Sequence, residues 1–572
     1  LHSFPTRRSS DLLSLFAALA FVSCSSEDDG ITNGNENVSD GAPRYLSVSI
    51  NSVGSVSRTR ATEGLAGEYE AGIGIENGVT AARFYFFDES GNAANVKAGA
   101  SQNFLDAEPK GDASDMNNVE KILNATLVIS TKEGDELPAS VLAVLNPTEE
   151  IKKMGTMGLT QLNNVISDYS STATANFLMS NSVYAKASMK MEAVDVTKHI
   201  YKTEASALAD PVSIHVERVL AKARLTLAAS LDKKKLDGGK TIYKALKANK
   251  TDVEKYENKD IYVKFLGWNV TATAGTSRLM KEINESWSDN LFGTTPELKW
   301  NTTDYCRSFW AVNPSQMTYG YGNFTDAQTI KAFDGGTEQA PQTNYTYLQE
   351  NASDNKAAGT NPVTPSKVII AAQLVDENGS ALSIAEHGTE RMLSSDLAGY
   401  YARLSGLWKA NDTGRVQMEA SDVVFYTDAD EHGNITQQGT ADRYKVYAKL
   451  ADGVTADWYG SSDENDVTKV DANVRLKGLG SSKVWEGGNT YYYFDIRHLN
   501  SAADDDTAIG KYGVVRNHVY AANITSLVGL GTPVYDPNEV IYPEKPSDDD
   551  SYIAAEIRIL SWRIVNSDIE LE

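Results

Sequence analysis

Imidazole can serve as a metal ligand or as a general base, so the histidines are the first residues to weigh for chemistry. There are seven, at 2, 199, 215, 387, 432, 498 and 518, and they are scattered. No H-E-x-x-H helix motif and no paired metal-ligand spacing occurs. The glycine signatures of a nucleophile elbow, a P-loop or a dinucleotide site are also missing. The run "DADEHGN" from Asp428 resembles a calcium loop. However, His432 stands at a ligand position and no Glu closes the twelve-residue frame, so it reads as a solvated turn. Asp504–Asp506 and Asp548–Asp550 read as wet linkers. Tryptophans and tyrosines could bind sugar, but aromatics within strands more often fill cores. No catalytic residue, metal site or cofactor is expected, and the chain does not read as an enzyme.

The two cysteines differ in context. Cys306, in "TDYCRSF", has no His or Cys cluster beside it and reads as a small buried or half-buried thiol. Cys24 ends "LLSLFAALAFVSC", an apolar run of signal-peptide length, too short to span a membrane as a mature helix. Small residues before a cysteine resemble a bacterial lipobox, although Phe21 stands where Leu is usual. In that chemistry the thiol receives a diacylglycerol before cleavage, and Cys24 becomes the lipidated first residue. The alternative is an ordinary signal peptide with an incidental cysteine. Residues 1–23 are accordingly read as a signal peptide. Its first twelve, "LHSFPTRRSSDL", have no initiator Met and carry Asp11 where a basic-to-apolar transition belongs. They resemble translated sequencing adapter and are set aside as non-native.

The 572 residues suffice for two to four domains, and 41% apolar with 23% charged residues fits a globular protein. The formal net charge of −24 repels nucleic acid and anionic membranes, so neither is an expected partner. Lys233–Lys235 is diluted by nearby acids and reads as a solvated face.

Strands dominate the pattern. In "RYLSVSINSV", Leu46, Val48 and Ile50 point one way and Ser47 and Ser49 the other, the mark of a half-buried strand. A Gly/Ser/Arg loop with Arg58 and Arg60 follows. "ARFYFFDESGN", "ATLVIST", "SVLAVLNP" and "NFLMSNSVY" read as strands, with one short helix at "LTQLNNVISDY". "VSIHVERVLAKARLTLAAS" is a long β-prone run that opens a second domain. "KDIYVKFLGWNVTATAG" is another strand, and "KVIIAAQLVDENGSAL" a hairpin turning at Asn378-Gly379. Residues 311–366 are polar and read as a loop-rich insertion. "DRYKVYAKL", "NTYYYFDIRHL" and "RNHVYAANITSL" add strands, and "DPNEVIYPEKPSDDD" is a linker. No short solenoid or propeller repeat is present.

Two strands stand apart, each on its own linker: the one at 44–53, and the closing "AEIRILSWRIVNSDIELE". In the latter, Ala555, Ile557 and Ile559 face one way; then the phase slips to Leu560, Trp562 and Ile564, as a bulge would produce. A cut after Arg60 would let the first strand leave, and the unpaired edges left behind would demand a replacement. The last strand of another copy could supply it, making a head-to-tail contact that propagates. Equally, both strands could belong permanently to their own sheets, with Arg60 an ordinary loop residue.

The pieces "ARFYFFD", "VLAVLNP", "FLMSNSVY", "VERVLAKARL", "FLGWNVT", "YGVVRNHVY", "LVGLGTPVYDPNEVIYP" and "AEIRILSWRIVNSDIEL" occur in an order that resembles the Bacteroidales FimA/Mfa-like fimbrillins. The likeness is greatest to the shaft subunit of the minor, Mfa-type fimbria. The resemblance implies an all-β protein of two transthyretin-like β-sandwich domains with a detachable N-terminal strand and a C-terminal donor strand. It implies an outer-membrane precursor lipidated on Cys24, cleavage by an Arg-specific protease after Arg60 (Arg58 second), and assembly by donor-strand exchange. The removable strand would be that of Leu46, Val48 and Ile50. The donor strand would carry Ile557, Ile559, Leu560, Trp562, Ile564 and Val565. Expected divisions are a lipidated propeptide at 24–60, an N-terminal sandwich at 61–208, a C-terminal sandwich at 209–545, and linker plus donor strand at 546–572. Implied partners are identical subunits, fimbrial anchor and tip subunits, the protease, and host or bacterial surface ligands in adhesion and biofilm formation. A tip or accessory adhesin, or a glycan-binding surface lipoprotein, is the competing reading.

Overall fold

The computed structural model describes, with isolated gaps of one or two residues, residues 37–52, 72–113, 121–181, 184–185, 191–245, 260–281, 306–307, 313–329, 345–352, 365–427, 445–497, 512–541, 552–561 and 565–567. The fold is all-β with a few short helices.

The main strands are, in chain order, β1 (Arg44–Ser52), β2 (Ala82–Phe87), β3 (Phe104–Ala107), β4 (Lys110–Ala113), β5 (Lys121–Ile129), β6 (Ser140–Leu145), β7 (Met179–Asn181) and β8 (Val212–Arg218). They form one sheet in the order β3-β2-β6-β7-β8-β1-β5-β4, which the short Val194–Asp195 strand joins at β6. "ARFYFF" of β2 is buried at every position, as befits an aromatic strand enclosed on both faces. Its turn is closed by Asp88, whose carboxylate accepts from the Ser90 and Asn92 amides, while Gly91 takes φ 79°.

The second set comprises β9 (Leu220–Leu227), β10 (Tyr262–Thr271), β11 (Tyr345–Gln349), β12 (Lys367–Val375), β13 (Asn489–Asp495), β14 (His518–Val528), β15 (Tyr552–Ser561) and β16 (Val565–Ser567). One sheet runs β11-β9-β14-β15-β16; another contains β10-β12-β13. The pairings repeat those of the first set in the same chain order. β1 lies parallel to β8 and antiparallel to β5, as β9 lies parallel to β14 and antiparallel to β11. β2–β6–β7 are mutually antiparallel, as are β10–β12–β13. The repeats part at one edge. β7 pairs with β8 in the first, whereas the corresponding edge of β14 takes β15 from the end of the chain.

The run 212–230, expected to open the second half, divides at Val219: β8 completes the first sheet and β9 begins the next. No glycine or proline marks the division; a change of pairing partner makes it. Within the stretch read as a loop-rich insertion, β11 joins the core sheet beside β9. The hairpin expected at Asn378-Gly379 is present, with Gly379 at φ 81° and Val375 bridged to Ala381. The expected helix at 159–169, with Leu162, Val165, Ile166 and Tyr169 on one face, spans only Leu159–Asn163; Ile166–Ser167 pairs as strand, and Leu162, Val165 and Tyr169 are buried whereas Ile166 is exposed.

Between β12 and β13 the chain builds a separate apolar cluster around a twelve-residue helix, Ser394–Ser405, which sequence reading missed. Leu397, Tyr401 and Ala402 face inward at helical spacing, and Gly406 ends the helix in the left-handed region at φ 61°.

Candidate functional site

β1 is an interior strand. All nine of its residues are in register with β5, from Arg44 opposite Ile129 to Ser52 opposite Lys121. On its other side Val48–Ser52 are in register with Val212–Val216 of β8. Leu46, Val48 and Ile50 are wholly buried, at 0% exposure. The apolar row read from the alternation therefore faces the core of the first sheet. At the start of β1, Tyr45 and Tyr201 exchange both backbone hydrogen bonds. Asp40 lies 2.9 Å from Arg44, and its carboxyl is held below the ordinary range, chiefly by the Ala42 amide.

The closing strand is an edge addition. β15 pairs antiparallel with β14 from His518–Ser561 to Val528–Tyr552, and β16 folds back on it. In the single chain, then, the last strand pairs with its own β14. The expected phase slip at Ile559 and Leu560 does not appear in the pairing, which runs without a shift from Ala555 to Ser561. The irregularity lies between Ile524 and Ser526 of β14. Of the expected donor residues, Ile557, Ile559, Leu560 and Val565 are placed by backbone pairing. Trp562 and Ile564 lie outside the described residues, as do Cys24, Arg58, Arg60 and the Asp428 turn.

A buried polar junction lies where β8 passes into β9. Arg218, at the end of β8, donates from Nε to the Glu76 carbonyl at 2.7 Å and from Nη1 to Asn517 Oδ1 at 3.1 Å. Lys222, two residues into β9, pairs with Glu76, which also accepts from the Tyr347 hydroxyl. Arg516 grips Glu350 through Nε and Nη2 at 2.9 and 2.7 Å. Lys281 lies 2.6 Å from Glu217, and burial pulls its ammonium below the usual lysine range. Burial, then the bond to Glu76, push the Tyr347 phenol up. Desolvated charges persist only when paired and hydrogen-bonded, so the Arg218, Lys222 and Lys281 contacts tie the two sets together, and the Arg516–Glu350 pair braces the second set beside them. Sequence reading missed the junction. Its signal was the charges Glu217, Arg218 and Lys222 inside an otherwise apolar β-prone run.

Among the described residues no group of three or more His, Cys, Asp or Glu could hold a metal ion, and no helix is long and apolar enough to cross a membrane. What the geometry offers is a strand slot: without β1, the facing edges of β5 and β8 would carry unpaired N–H and C=O groups in mid-sheet.

Residues 483–568 match the family model described as "Major fimbrial subunit protein type IV, Fimbrillin, C-terminal". The match takes in β13, β14 and both closing strands. No curated protein matches the chain. Among solved structures, the chain is similar to a candidate cell adhesion protein from Parabacteroides distasonis: 11% identity, 91% of this chain and 97% of that one, TM-score 0.36. It is similar to the fimbrillin FimA of Porphyromonas gingivalis at 11% identity, 91% and 99% coverage, TM-score 0.33. For the tip fimbrial protein Mfa3 of the same organism, with C-terminal truncation, the values are 9%, 91%, 100% and 0.29. Superpositions this loose add nothing to the fold read from strand pairing. Over residues 483–568 the chain is similar to the C-terminal region of the fimbrillins.

Proposed function

We propose that this protein is a fimbrillin, the shaft subunit of a cell-surface fimbria, exported as a lipoprotein on Cys24, cut after Arg60 or Arg58, and polymerised by donor-strand exchange. The strand row of Ile557, Ile559, Leu560, Trp562, Ile564 and Val565 enters the slot that β1 vacates in the next copy. On this reading residues 61–208 and 209–545 are the two sandwich domains, and 24–60 is the discarded propeptide.

The observation that supports it is the contrast between the two strands. β1 is held on both sides in the middle of its sheet, and Arg58 and Arg60 follow it closely in the sequence. β15 is held by β14 on one side and by three residues of β16 on the other, after a proline-punctuated linker. A strand that fills an interior slot is costly to lose; a terminal strand at a sheet margin is cheaper to move. Burying Leu46, Val48 and Ile50 at about 1.5–3 kcal/mol each is worth about 5–9 kcal/mol gross. A replacement of similar apolarity recovers that on assembly, less its ordering cost.

The test is processing in an exporting host. The mature subunit is expected to begin at Ala61, and the precursor to carry a lipid that Cys24→Ala removes. Combined Arg58→Ala and Arg60→Ala substitution is expected to leave lipid-bearing precursor and no polymer. Fimbriae built from that double variant would sink the reading.

A further inference from the structure

We infer that a cut in the loop after β1 does not free β1: the strand stays seated between β5 and β8 and is given up only to an incoming strand. This rests on the cleavage reading above and concerns the step after it.

The described contacts that hold β1 join residues 37–52, on the N-terminal side of Arg58 and Arg60, to residues 121–137 and 201–216 of the body. The grip extends beyond the nine-residue register with β5 and the five-residue register with β8. Tyr45 N donates to Tyr201 O at 2.7 Å, and Tyr201 N to Tyr45 O at 2.8 Å. Further ahead, Ser39 N donates to Asp135 O at 2.8 Å, Gly134 N to Ser39 O at 2.9 Å and Leu137 N to Asn37 O at 2.8 Å. Arg44 and Lys202 both reach Asp40, at 2.9 and 3.9 Å. A cut at Arg58 or Arg60 breaks none of these contacts.

Unaided departure would bare two rows of backbone groups in mid-sheet together with the seats of three fully buried side chains. An invading strand avoids that state, because it can replace the ladder one residue pair at a time. Cys24 belongs to the same piece as β1. A cleaved subunit therefore remains on its lipid until a second copy of this chain takes the slot, and detachment from the membrane is tied to incorporation.

The experiment uses the full-length protein, purified in mild detergent and cut under native conditions by an Arg-specific protease. Gel filtration follows, and denaturing mass spectrometry of the body peak looks for the piece that contains Val48. The piece is expected to co-elute with the body after a day, and to move to the small fractions once a synthetic peptide of residues 551–572 is added in excess. Loss of the piece without peptide overturns the inference while leaving cleavage standing. Retention in the presence of peptide overturns the displacement step and counts against exchange at this slot. Absence of any cut at Arg58 or Arg60 overturns the cleavage reading itself. A Val48→Asp chain that is folded before the cut is expected to shed the piece without peptide; its retention there would also contradict the inference.

Discussion

The Lys222 ammonium lies 3.0 Å from the Glu76 carboxylate, and neither side chain meets water. Glu76 lies between β1 and β2, and Lys222 lies near the start of the second set of strands, so this pair ties the beginning of one set to the beginning of the next. Removing one partner leaves the other charge buried alone, which typically costs about 3–5 kcal/mol. Glu76→Gln is expected to lose stability in that range in urea denaturation. Glu76→Leu with Lys222→Met is expected to lose less than either single change. A double variant as unstable as the sum of the singles would contradict the pairing.

Val48 faces Ala125 on one side and Val212 on the other, fully enclosed. Val48→Asp places a carboxylate there with no partner and is expected to cost several kcal/mol, on the order of 3 or more. Ser49→Asp, one residue along and partly exposed, is expected to cost under about 1 kcal/mol. Equal effects at the two positions would mean that β1 does not sit in this register.

His215 in β8 is opposite Asn51 of β1, and burial pushes its imidazole down to about 4. The unfolded chain takes up that proton near pH 6.5, the folded chain only near 4. Above the unfolded value both states are neutral and nothing is lost. As pH falls from about 6.5 to 4 the unfolded state binds more protons, so stability declines, by on the order of 2–3 kcal/mol. His215→Gln is expected to remove this part of the acid sensitivity, read as the difference between the two denaturation-midpoint profiles. Parallel profiles would contradict a histidine held neutral in the fold.

Gly488 precedes β13 at φ +76°, and a Cβ there would come within 2.4 Å of the Leu374 carbonyl. Both the left-handed backbone and the close approach exclude a side chain. Gly488→Ala is expected to cost about 2 kcal/mol or more in thermal or urea denaturation. Gly238, also at positive φ but in open space, is expected to tolerate alanine at about half that cost or less.

Local signals carried much of the fold. The alternation around Leu46, Val48 and Ile50 identified β1 and its buried face, and the Asn378-Gly379 pair identified its hairpin. Long-range choices left no local mark. Nothing within 212–230 shows that β8 and β9 serve different sheets, because Val219 differs from its neighbours only in what lies beside it. The Ser394–Ser405 helix escaped because Gly399 lowers its helix propensity and the exposed Leu404 blurs its apolar stripe; Gly406 was its available clue. The buried junction escaped because charged residues in a strand run normally face water. The pairing that holds Ala555–Ser561 against β14 could not be phased from one strand, since the register shift lies near Thr525 in its partner.

On the proposed function, the last strand links one copy to the next after an arginine cut. The most direct measurement treats the protein with an Arg-specific protease, reads the new N-terminus by mass, and runs unboiled samples for ladders. The same chain ending at Asp550 is run beside it. A start at Ala61 with a ladder from the full chain and none from the shortened one is the predicted result. Cleavage that leaves monomers, or a ladder that survives the loss of residues 551–572, would contradict it.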